Sequence, residues 1–367
     1  MEDKNLNIYK EISLFESVSN LIDESRKQVA TAVNTTMVYT YYGIGHYIVE
    51  FEQGGTKRAE YGKGLLKRLS ERLTERYGKG WSVDTLEKTR TFYNTYSISA
   101  TVQRKSEKEK SATVQRIFNV DENDLPKFVL TWNHYQILMR IDNLQERNFY
   151  EFEAASQTWS VRQLQRQVAS SLYERLALSR NKEEVIRLAN EGQTFEKPAD
   201  IIKNPLVLEF VGLKPDESYS ETDLESAIIN KLQPFLLEMG KGFLFEARQK
   251  RFTFDEDNFY VDLVLYNRLL QSYVLIDLKT SKLTHQDLGQ MQMYVNYFDR
   301  YVKKDFEKPT IGILLCKTKS DTLVELTLPK DTNIYAQQYA LCLPDKETLR
   351  RKLTEWTDEY EQLHETM

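Results

Sequence analysis

The segment Phe259–Lys279, FYVDLVLYNRLLQSYVLIDLK, constrains the fold of this chain more than any other stretch. Its apolar residues surround a short polar interruption, which predicts two antiparallel strands joined by a tight turn. A four-residue turn at 268–271 pairs Asn267 with Ser272. Because an antiparallel register is fixed by one such pair, this turn sets the partner of every other residue in the hairpin.

Counting back from that pair places Asp262 opposite Asp277, and strand alternation puts Lys279 on the same face as Asp277. Opposed like charges destabilise a strand pair, and a buried unpaired carboxylate is costly. The bland alternative is two solvent-facing aspartates at strand ends, but apolar residues flank both positions. A divalent cation such as Mg²⁺ between the carboxylates removes the conflict. Lys279 could then steady an anion or a nucleophilic water, which is a constellation for phosphodiester hydrolysis.

The bulk composition is that of a soluble globular protein of two or three domains. The chain has 367 residues, 41% hydrophobic and 29% charged, with a net charge of −5 that does not by itself suggest a nucleic-acid partner. The charge is unevenly distributed, because residues 53–90 carry net +5 and residues 161–182 carry net +4. These two basic stretches predict a footprint for polyanions.

Cysteine usage and hydropathy favour a cytoplasmic protein. The chain has only Cys316 and Cys342, and neither suggests a disulfide or a zinc site. The N-terminus has no apolar signal region, and no run is long enough to span a bilayer. A reducing cytoplasm is therefore expected, with no membrane partner.

Two helical stretches carry candidate nucleic-acid contacts. Arg68, Arg72 and Arg76 recur every four residues along an amphipathic helix and could meet phosphates; a solvated face paired with neighbouring glutamates is an equally good interpretation. A second pair, Arg162 and Arg166, follows the helix start WSVRQLQ. That start repeats the tryptophan-led start WSVDTLE, which suggests a helix-turn-helix-like arrangement addressing a nucleic-acid backbone.

The predicted organisation is two domains. Residues 1–190 form a helical domain whose segment 10–52 is a helix or a hairpin broken near its two glycines. Residues 97–124, which repeat SATVQR around KSEKEK, form a mobile polar insertion. Residues 191–221, with three prolines, form a linker, and residues 222–367 form the second domain.

The second domain has the order helix, three strands, helix, strand. Its first helix spans Thr222–Met239, with Thr222 and Glu225 as a capping box and a kink at Pro234. A second helix, capped by Thr284, packs on the sheet with an apolar stripe.

This order resembles the αβββαβ core of the PD-(D/E)xK nuclease superfamily, whose motif matches as Asp262 followed by Asp277-Leu278-Lys279. Val261 stands at the nominal proline, and the middle acid is Asp. Longer strings, including DLESAIINKLQPFLLEMGKGFLFEARQ, LGQMQMYVNYFDR and WSVRQLQRQVASSLYERL, look like the YhcG-type nucleases. The resemblance covers nearly the whole chain except the SATVQR insertion. It implies an α+β multidomain protein, with an N-terminal all-α domain of unsettled role and a C-terminal restriction-endonuclease-like domain.

The resemblance also implies roles for individual residues. Asp262 and Asp277 match the metal ligands, with the Leu278 carbonyl completing the site, and Lys279 matches the lysine that activates water or neutralises the transition state. Glu225 matches the first-helix acid that helps organise the metal, although a capping role explains it equally simply. Gln290 matches a helix glutamine that reaches toward the active site, or is a surface glutamine.

The predicted activity is an Mg²⁺- or Mn²⁺-dependent endonuclease acting on DNA, with the N-terminal domain aiding nucleic-acid or partner binding. Two alternatives stay open. One is a catalytically silent nucleic-acid-binding or scaffolding subunit, and the other is a partner-dependent subunit of a defence or restriction system. Cutting both strands usually needs two sites, which favours a homodimer.

Overall fold

The computed structural model describes residues 2–53, 58–100, 126–178, 182–203, 205–215, 217–254, 256–329 and 331–353. The chain divides into two compact units, Met1–Arg147 and Asn148–Met367. Most of the predicted insertion, residues 101–124, lies outside the described ranges, as do residues 354–367. Within the described ranges, no helix combines the length and the apolar character needed to cross a membrane.

The first unit is helical, as predicted. Its helices are α1 (Glu2–Gln53), α2 (Arg58–Tyr77), α3 (Val83–Ala100) and α4 (Trp132–Leu138), and α5 (Leu144–Ser156) begins within it. Helix α1 runs unbroken through both glycines, so the hairpin alternative is wrong. A Cβ at Gly45 would stand 2.1 Å from the carbonyl oxygen of Thr89 on α3. Gly45 therefore permits close packing of two helices instead of ending one.

Aromatic side chains form the centre of the first unit. The ring of Phe92 on α3 lies 5.8 Å from that of Tyr42, 4.9 Å from that of Phe128 and 5.2 Å from that of Tyr135. All four residues are buried. Such offset and edge-to-face pairs add to the stabilisation from apolar burial. The C-terminal half of α1 is thereby anchored to α3.

The second unit begins with helices and continues into a sheet. Its remaining elements are α6 (Val161–Ala169), α7 (Leu172–Ala177), α8 (Lys182–Glu191), a 3₁₀ turn (Pro198–Ile201), β1 (Leu206–Val207), a 3₁₀ turn (Glu209–Val211), α9 (Glu221–Asn230), α10 (Leu232–Met239), β2 (Phe243–Phe254), β3 (Asp257–Asn267), β4 (Ser272–Lys282), α11 (His285–Tyr297), a π-helical turn (Phe298–Val302), β5 (Ile311–Thr318), α12 (Asp321–Thr327) and β6 (Ile334–Ala340). Residues 346–353 are also helical. The tryptophan-led helices α3 and α6 belong to different units, so they are not successive helices of one helix-turn-helix motif.

The structure confirms the predicted αβββαβ order and adds β1 before it and β6 after it along the chain. The six strands of the sheet lie in the order β1-β6-β5-β4-β3-β2. Strands β2, β3 and β4 are antiparallel, whereas β4, β5, β6 and β1 are parallel. Strand β1 comes from the predicted linker 191–221, and its Leu206 pairs with Tyr339 of β6. The predicted domain boundaries stay predictions.

One core cluster packs α9 and α10 on the sheet, and a second packs α11 on it. Leu263 and Ile276 belong to the first cluster, and Val264 and Leu275 belong to the second. The central strands are thus buried on both faces, as expected for strands covered by helices on each side. A charged residue in these strands is therefore held among apolar neighbours.

The helix predicted over Thr222–Met239 is two helices, α9 and α10, which meet at Lys231. The N-cap of α9 is Ser220, in a capping box with Asp223. Pro234 is the third residue of α10, where its missing N–H removes no intrahelical hydrogen bond. The capping role expected for Thr222 and Glu225 is therefore wrong, and the Glu225 side chain is available for other contacts.

Candidate active site

The site lies at a fork between β3 and β4. The structure confirms the four-residue turn and the pair Asn267–Ser272, and the ladder continues to Leu263–Ile276. Asp262 and Asp277 are the next residues in that register, beyond the last ladder pair. Val261 and Val264 lie in the same core cluster, so the strict alternation of β3 is interrupted at Asp262. The two strands separate where the sequence carries its charges.

Asp262 links the two arms of the fork. Its Oδ2 accepts a hydrogen bond of 2.8 Å from the backbone N–H of Leu278 on β4, where a regular ladder would offer a main-chain carbonyl. Its Oδ1 accepts a hydrogen bond of 2.8 Å from Nε2 of Gln249 on β2. Burial raises the pKa of Asp262, while these two hydrogen bonds act against that rise. The carboxylate is thus held in a fixed orientation.

Asp277 is a buried charge that faces Lys279. Its side chain is 6% exposed, and its Oδ2 lies 2.7 Å from Nζ of Lys279 in an ion pair. Burial raises the pKa of Asp277 to about 7; Lys279 acts against this rise, and the negative charge of Asp262 adds to it. Asp262 and Asp277 therefore oppose each other's ionisation, as expected for two carboxylates that share a site.

Lys279 is held between two acids. Its Nζ contacts Asp277 and lies 3.6 Å from Oε2 of Glu221, the first residue of α9. Burial acts against the charge on Lys279, but the carboxylates of Asp277 and Glu221 more than compensate and raise its pKa. Lys279 is therefore a protonated ammonium at neutral pH. Glu221 was not predicted as part of the site.

Glu225 is linked to the site through Gln249, to which the sequence analysis gave no role. Glu225 is buried, forms an ion pair with Arg248, and accepts a hydrogen bond of 2.7 Å at Oε2 from Nε2 of Gln249. The same Gln249 nitrogen donates to Asp262, so one carboxamide bridges the two acids. Gln249 has φ 47, a left-handed conformation unusual for a side-chain-bearing residue in a strand. Such local strain is often found at functional sites.

Gln290 lies on α11 and contacts the site indirectly. It is half-buried, and its Nε2 donates to the hydroxyl of Tyr294 one turn further along. Burial raises the pKa of Tyr294 to about 12, with a further contribution from the charge of Asp277. The phenol is therefore neutral and lies within the field of the aspartates. Tyr294 was not among the predicted site residues. Gln290 is connected to the aspartates only through its hydrogen bond to Tyr294.

Two family models together span most of the chain. The YhcG PDDEXK nuclease domain matches residues 199–354, and the DUF1016 N-terminal domain matches residues 17–175. A protein of Escherichia coli (strain K12) named "Putative nuclease YhcG" is 37% identical over 354 residues, covering 93% of this chain and 92% of that protein. The chain belongs to the YhcG family of PDDEXK nucleases.

A solved structure also matches part of this chain, at low similarity. It is the crystal structure of a repair endonuclease from Pyrococcus abyssi, 20% identical, with a TM-score of 0.23. The match covers 35% of this chain and 50% of the endonuclease chain.

Among the predicted nucleic-acid contacts, Arg166 is committed to the interior of the second unit. Its Nε and Nη2 donate to Glu209 at 2.8 and 3.0 Å, and its Nη1 donates to Glu238 at 2.7 Å. Arg175 also contacts the fully buried Glu238. Burial acts against ionisation of Glu238, yet Arg175, Lys203 and Arg166 lower its pKa to about 2. The guanidinium of Arg166 is occupied by this ion network, which argues against the predicted contact with nucleic acid.

The other predicted arginines remain candidates. Arg68, Arg72 and Arg76 are exposed on α2, and Arg162 is exposed on α6. The guanidinium of Arg76 lies over the Tyr77 ring, 5.3 Å from its centroid. Their role in nucleic-acid binding stays a prediction.

The donor atoms at the fork suit a hard divalent cation. Within the described ranges, no three His, Cys, Asp or Glu side chains form a ready metal cluster. The fork instead offers two carboxylates, those of Asp262 and Asp277, beside the main chain of Leu278. Asp277 Oδ2 is buried beside the ammonium of Lys279. All these donors are oxygens, which Mg²⁺ and Mn²⁺ prefer.

Proposed function

We propose that this protein is a divalent-metal-dependent endonuclease that hydrolyses phosphodiester bonds of DNA. The observation that carries the proposal is the fork at which Asp262, Asp277 and Lys279 meet between β3 and β4. Two buried carboxylates that oppose each other's ionisation favour binding of a cation between them, and the ammonium beside them favours binding of an anionic substrate. PDDEXK nucleases generally use divalent metal ions, which agrees with this donor set.

Asp262, Asp277 and the carbonyl of Leu278 would hold the ion, and Glu225 would assist from α9. When bound, a divalent cation supplies a Lewis acid for the scissile phosphate and makes a coordinated water more acidic. The protein's own residues hold the metal-binding carboxylates in position. The Leu278 N–H and Gln249 orient Asp262, and burial excludes water from Asp277. Because Asp277 has a pKa of about 7, binding the ion at neutral pH would release part of a proton.

Lys279 acts in this proposal as a fixed positive charge. Its raised pKa makes it a poor proton acceptor at neutral pH, so it is not the general base. Its ammonium, 2.7 Å from Oδ2 of Asp277, would stabilise the negative charge that develops on a phosphate bound at the fork. Electrostatic stabilisation of that charge is the role that burial and geometry support best.

The test is a cleavage assay on supercoiled plasmid, linear duplex, branched, single-stranded and modified DNA, with RNA as comparison. Each substrate is incubated with Mg²⁺, with Mn²⁺ and with EDTA. We expect cleavage of at least one DNA substrate with either ion and none with EDTA. Salt-dependent binding without cleavage on every substrate would favour the silent nucleic-acid-binding subunit instead. Cleavage that begins only when a partner protein is added would favour the partner-dependent alternative.

Gln249 is expected to tune the metal site rather than to contact the substrate. Replacing it with alanine removes the donor shared by Glu225 and Asp262. Loss of a residue that orients a metal ligand typically costs 10- to 100-fold in metal affinity. We therefore expect the Mn²⁺ concentration for half-maximal activity to rise by about 10-fold or more. The same shift should appear in the Mn²⁺ concentration that stabilises the folded protein in thermal unfolding.

Gln249→Gly is the matched control, because glycine accepts φ 47 without strain but lacks the carboxamide. It should show the same loss of metal affinity as Gln249→Ala. If Gln249→Gly binds metal as tightly as the wild type, the amide bridge is not needed for metal affinity. Any loss in Gln249→Ala would then come from its strained backbone conformation.

The arginine row of α2 is expected to contribute to DNA affinity through phosphate contacts. Replacing Arg68, Arg72 and Arg76 together by alanine should weaken binding of the full chain to duplex DNA. It should also reduce the slope of log affinity against log salt by about 3, one for each lost contact. Lys214→Ala, at an exposed lysine of the second unit, serves as the control. An unchanged slope would support the alternative of a solvated helix face.

A further inference from the structure

The N-terminal half of α1 is exposed over about 20 residues. From Asn20 to Asn34 every residue is exposed, whereas the C-terminal half of the helix packs on α3 through residues such as Val38 and Tyr42. A stretch of this length extends roughly 30 Å at 1.5 Å per residue. An isolated helix of this size is marginal in water unless one face is covered.

This exposed stretch is strongly amphipathic. At 3.6 residues per turn, the six large apolar residues from position 15 to position 33 fall within an arc of about 120°. They are Phe15, Val18, Leu21, Ile22, Val29 and Val33, with exposures between 45% and 72%. All five charged residues of the stretch 14–33 lie outside that arc. The face that a surface helix normally turns to a core is here turned to solvent.

The apolar arc contains a heptad seam. Positions 15, 18, 22, 25, 29 and 32 alternate steps of three and four, which is the spacing of a helix that packs against another helix. The polar member, Ser25, donates its hydroxyl to the carbonyl oxygen of Leu21 at 2.8 Å. Its hydrogen-bonding need is met within its own helix, so it can enter an apolar interface at little cost.

We propose that two copies of this chain associate through the exposed stretch of α1, seam against seam. The six residues present on the order of 600 Å² per copy, close to the roughly 800 Å² per partner of a stable interface and at the upper end of the patches that monomers leave exposed. The charge of the stretch argues against two other occupants of such a face, a membrane surface and a nucleic acid. The stretch 14–33 has two basic and three acidic residues, so it lacks the basic flank that an anionic membrane surface or a nucleic acid requires.

The chain's own C-terminal residues are a poorer match for this face. Residues 354–367 carry four large apolar residues, of which Trp356, Tyr360 and Leu363 lie within eight positions. The exposed arc of α1 runs over 19 positions, from Phe15 to Val33. A second α1 matches that length and repeat along the whole seam. The inference stands independently of the proposed nuclease activity.

The test is the mass of the full-length protein in solution, by light scattering coupled to gel filtration at micromolar concentration. We expect the wild type at twice the chain mass of 43.2 kDa. The triple variant Val18→Glu, Ile22→Glu, Val29→Glu should elute at the mass of one chain. These side chains are exposed in the single chain, so its circular dichroism and its unfolding temperature at low concentration should stay close to those of the wild type.

The matched control places the same added charge on the opposite face, as Asn20→Glu, Thr31→Glu, Asn34→Glu. This variant should keep the doubled mass. Two outcomes overturn the inference: a wild type with the mass of one chain, or a doubled mass that survives the seam variant. A wild type with the mass of one chain would also result if residues 354–367 covered the seam within one chain.

Discussion

The variant Lys279→Ala is expected to cleave DNA about 10²- to 10³-fold more slowly than the wild type at saturating metal, with its fold intact. The ammonium lies between Asp277 and Glu221 and is protonated at neutral pH. Removing a preorganised charge from a buried site costs this much when the charge stabilises the transition state. Single-turnover cleavage rates, with enzyme in excess over a labelled duplex, measure the effect directly.

Folding of the Lys279→Ala variant should be preserved for a specific reason. Without its neighbouring cation, the pKa of Asp277 rises further, and the buried carboxyl takes up a proton instead of remaining an unpaired charge. The control is Lys282→Ala, at an exposed lysine near the end of the same strand. It should cleave like the wild type. If Lys279→Ala retained wild-type rates in matched preparations, the fork would not be the catalytic site.

The hairpin register was predictable from sequence because it depends on local rules. Strand alternation and a four-residue turn were enough to place Asp262 next to Asp277, and the structure has the same register from Asn267 to Leu263. The helix starts at Ser160 and Thr284 were predictable for a similar reason, since each capping box is a four-residue pattern. The start of α9 shows the limit of this logic. The sequence SETDLE offers two overlapping boxes, and the structure uses the one that begins at Ser220.

The fork itself was not predictable, because it arises from contacts between strands. The sequence gives no sign that the N–H of Leu278 turns to the carboxylate of Asp262. Gln249 was within reach of sequence reasoning, because counting back from the pair Phe254–Asp257 places it opposite Asp262 without a register shift. The turn between β2 and β3 was not fixed from the sequence, so Gln249 received no role. Its hydrogen bonds to Glu225 and Asp262 depend on the three-dimensional geometry.

The ion network of Arg166 was not predictable because its partners are distant in sequence. It follows a clear helix start, and helical periodicity alone leaves it on a polar face. Glu209 and Glu238, which occupy its guanidinium, lie 43 and 72 residues away. A buried ion network of this kind is specified by three-dimensional packing, and removing one partner would leave an uncompensated charge in the core.

A last expected result tests the electrostatics of the fork without any substrate: in EDTA at pH 8, Asp277→Asn should be more stable than the wild type. Burial raises the pKa of Asp277 from an ordinary value of 3.8 to about 7. When a folded-state pKa is raised, ionisation favours the unfolded chain. The wild type therefore loses stability as pH rises from about 4 through 7. The difference between these pKa values corresponds to on the order of 4 kcal/mol, and asparagine, with the same shape, cannot ionise.

The free energy of unfolding, from denaturant titrations at pH 5 and pH 8, measures the effect. The advantage of Asp277→Asn should be a few kcal/mol at pH 8 and should narrow at pH 5, where the wild-type carboxyl holds its proton when folded. Asp257→Asn, at an exposed aspartate of β3, should show no such pH-dependent gain.

Adding Mn²⁺ should then stabilise the wild type, by about 2.7 kcal/mol at 100 times the dissociation constant, and leave Asp277→Asn nearly unchanged. A variant less stable than the wild type in EDTA at pH 8 would mean that Lys279 fully compensates the buried carboxylate. The fork would then have no electrostatic need for a cation, and the donor set alone would have to support the metal assignment.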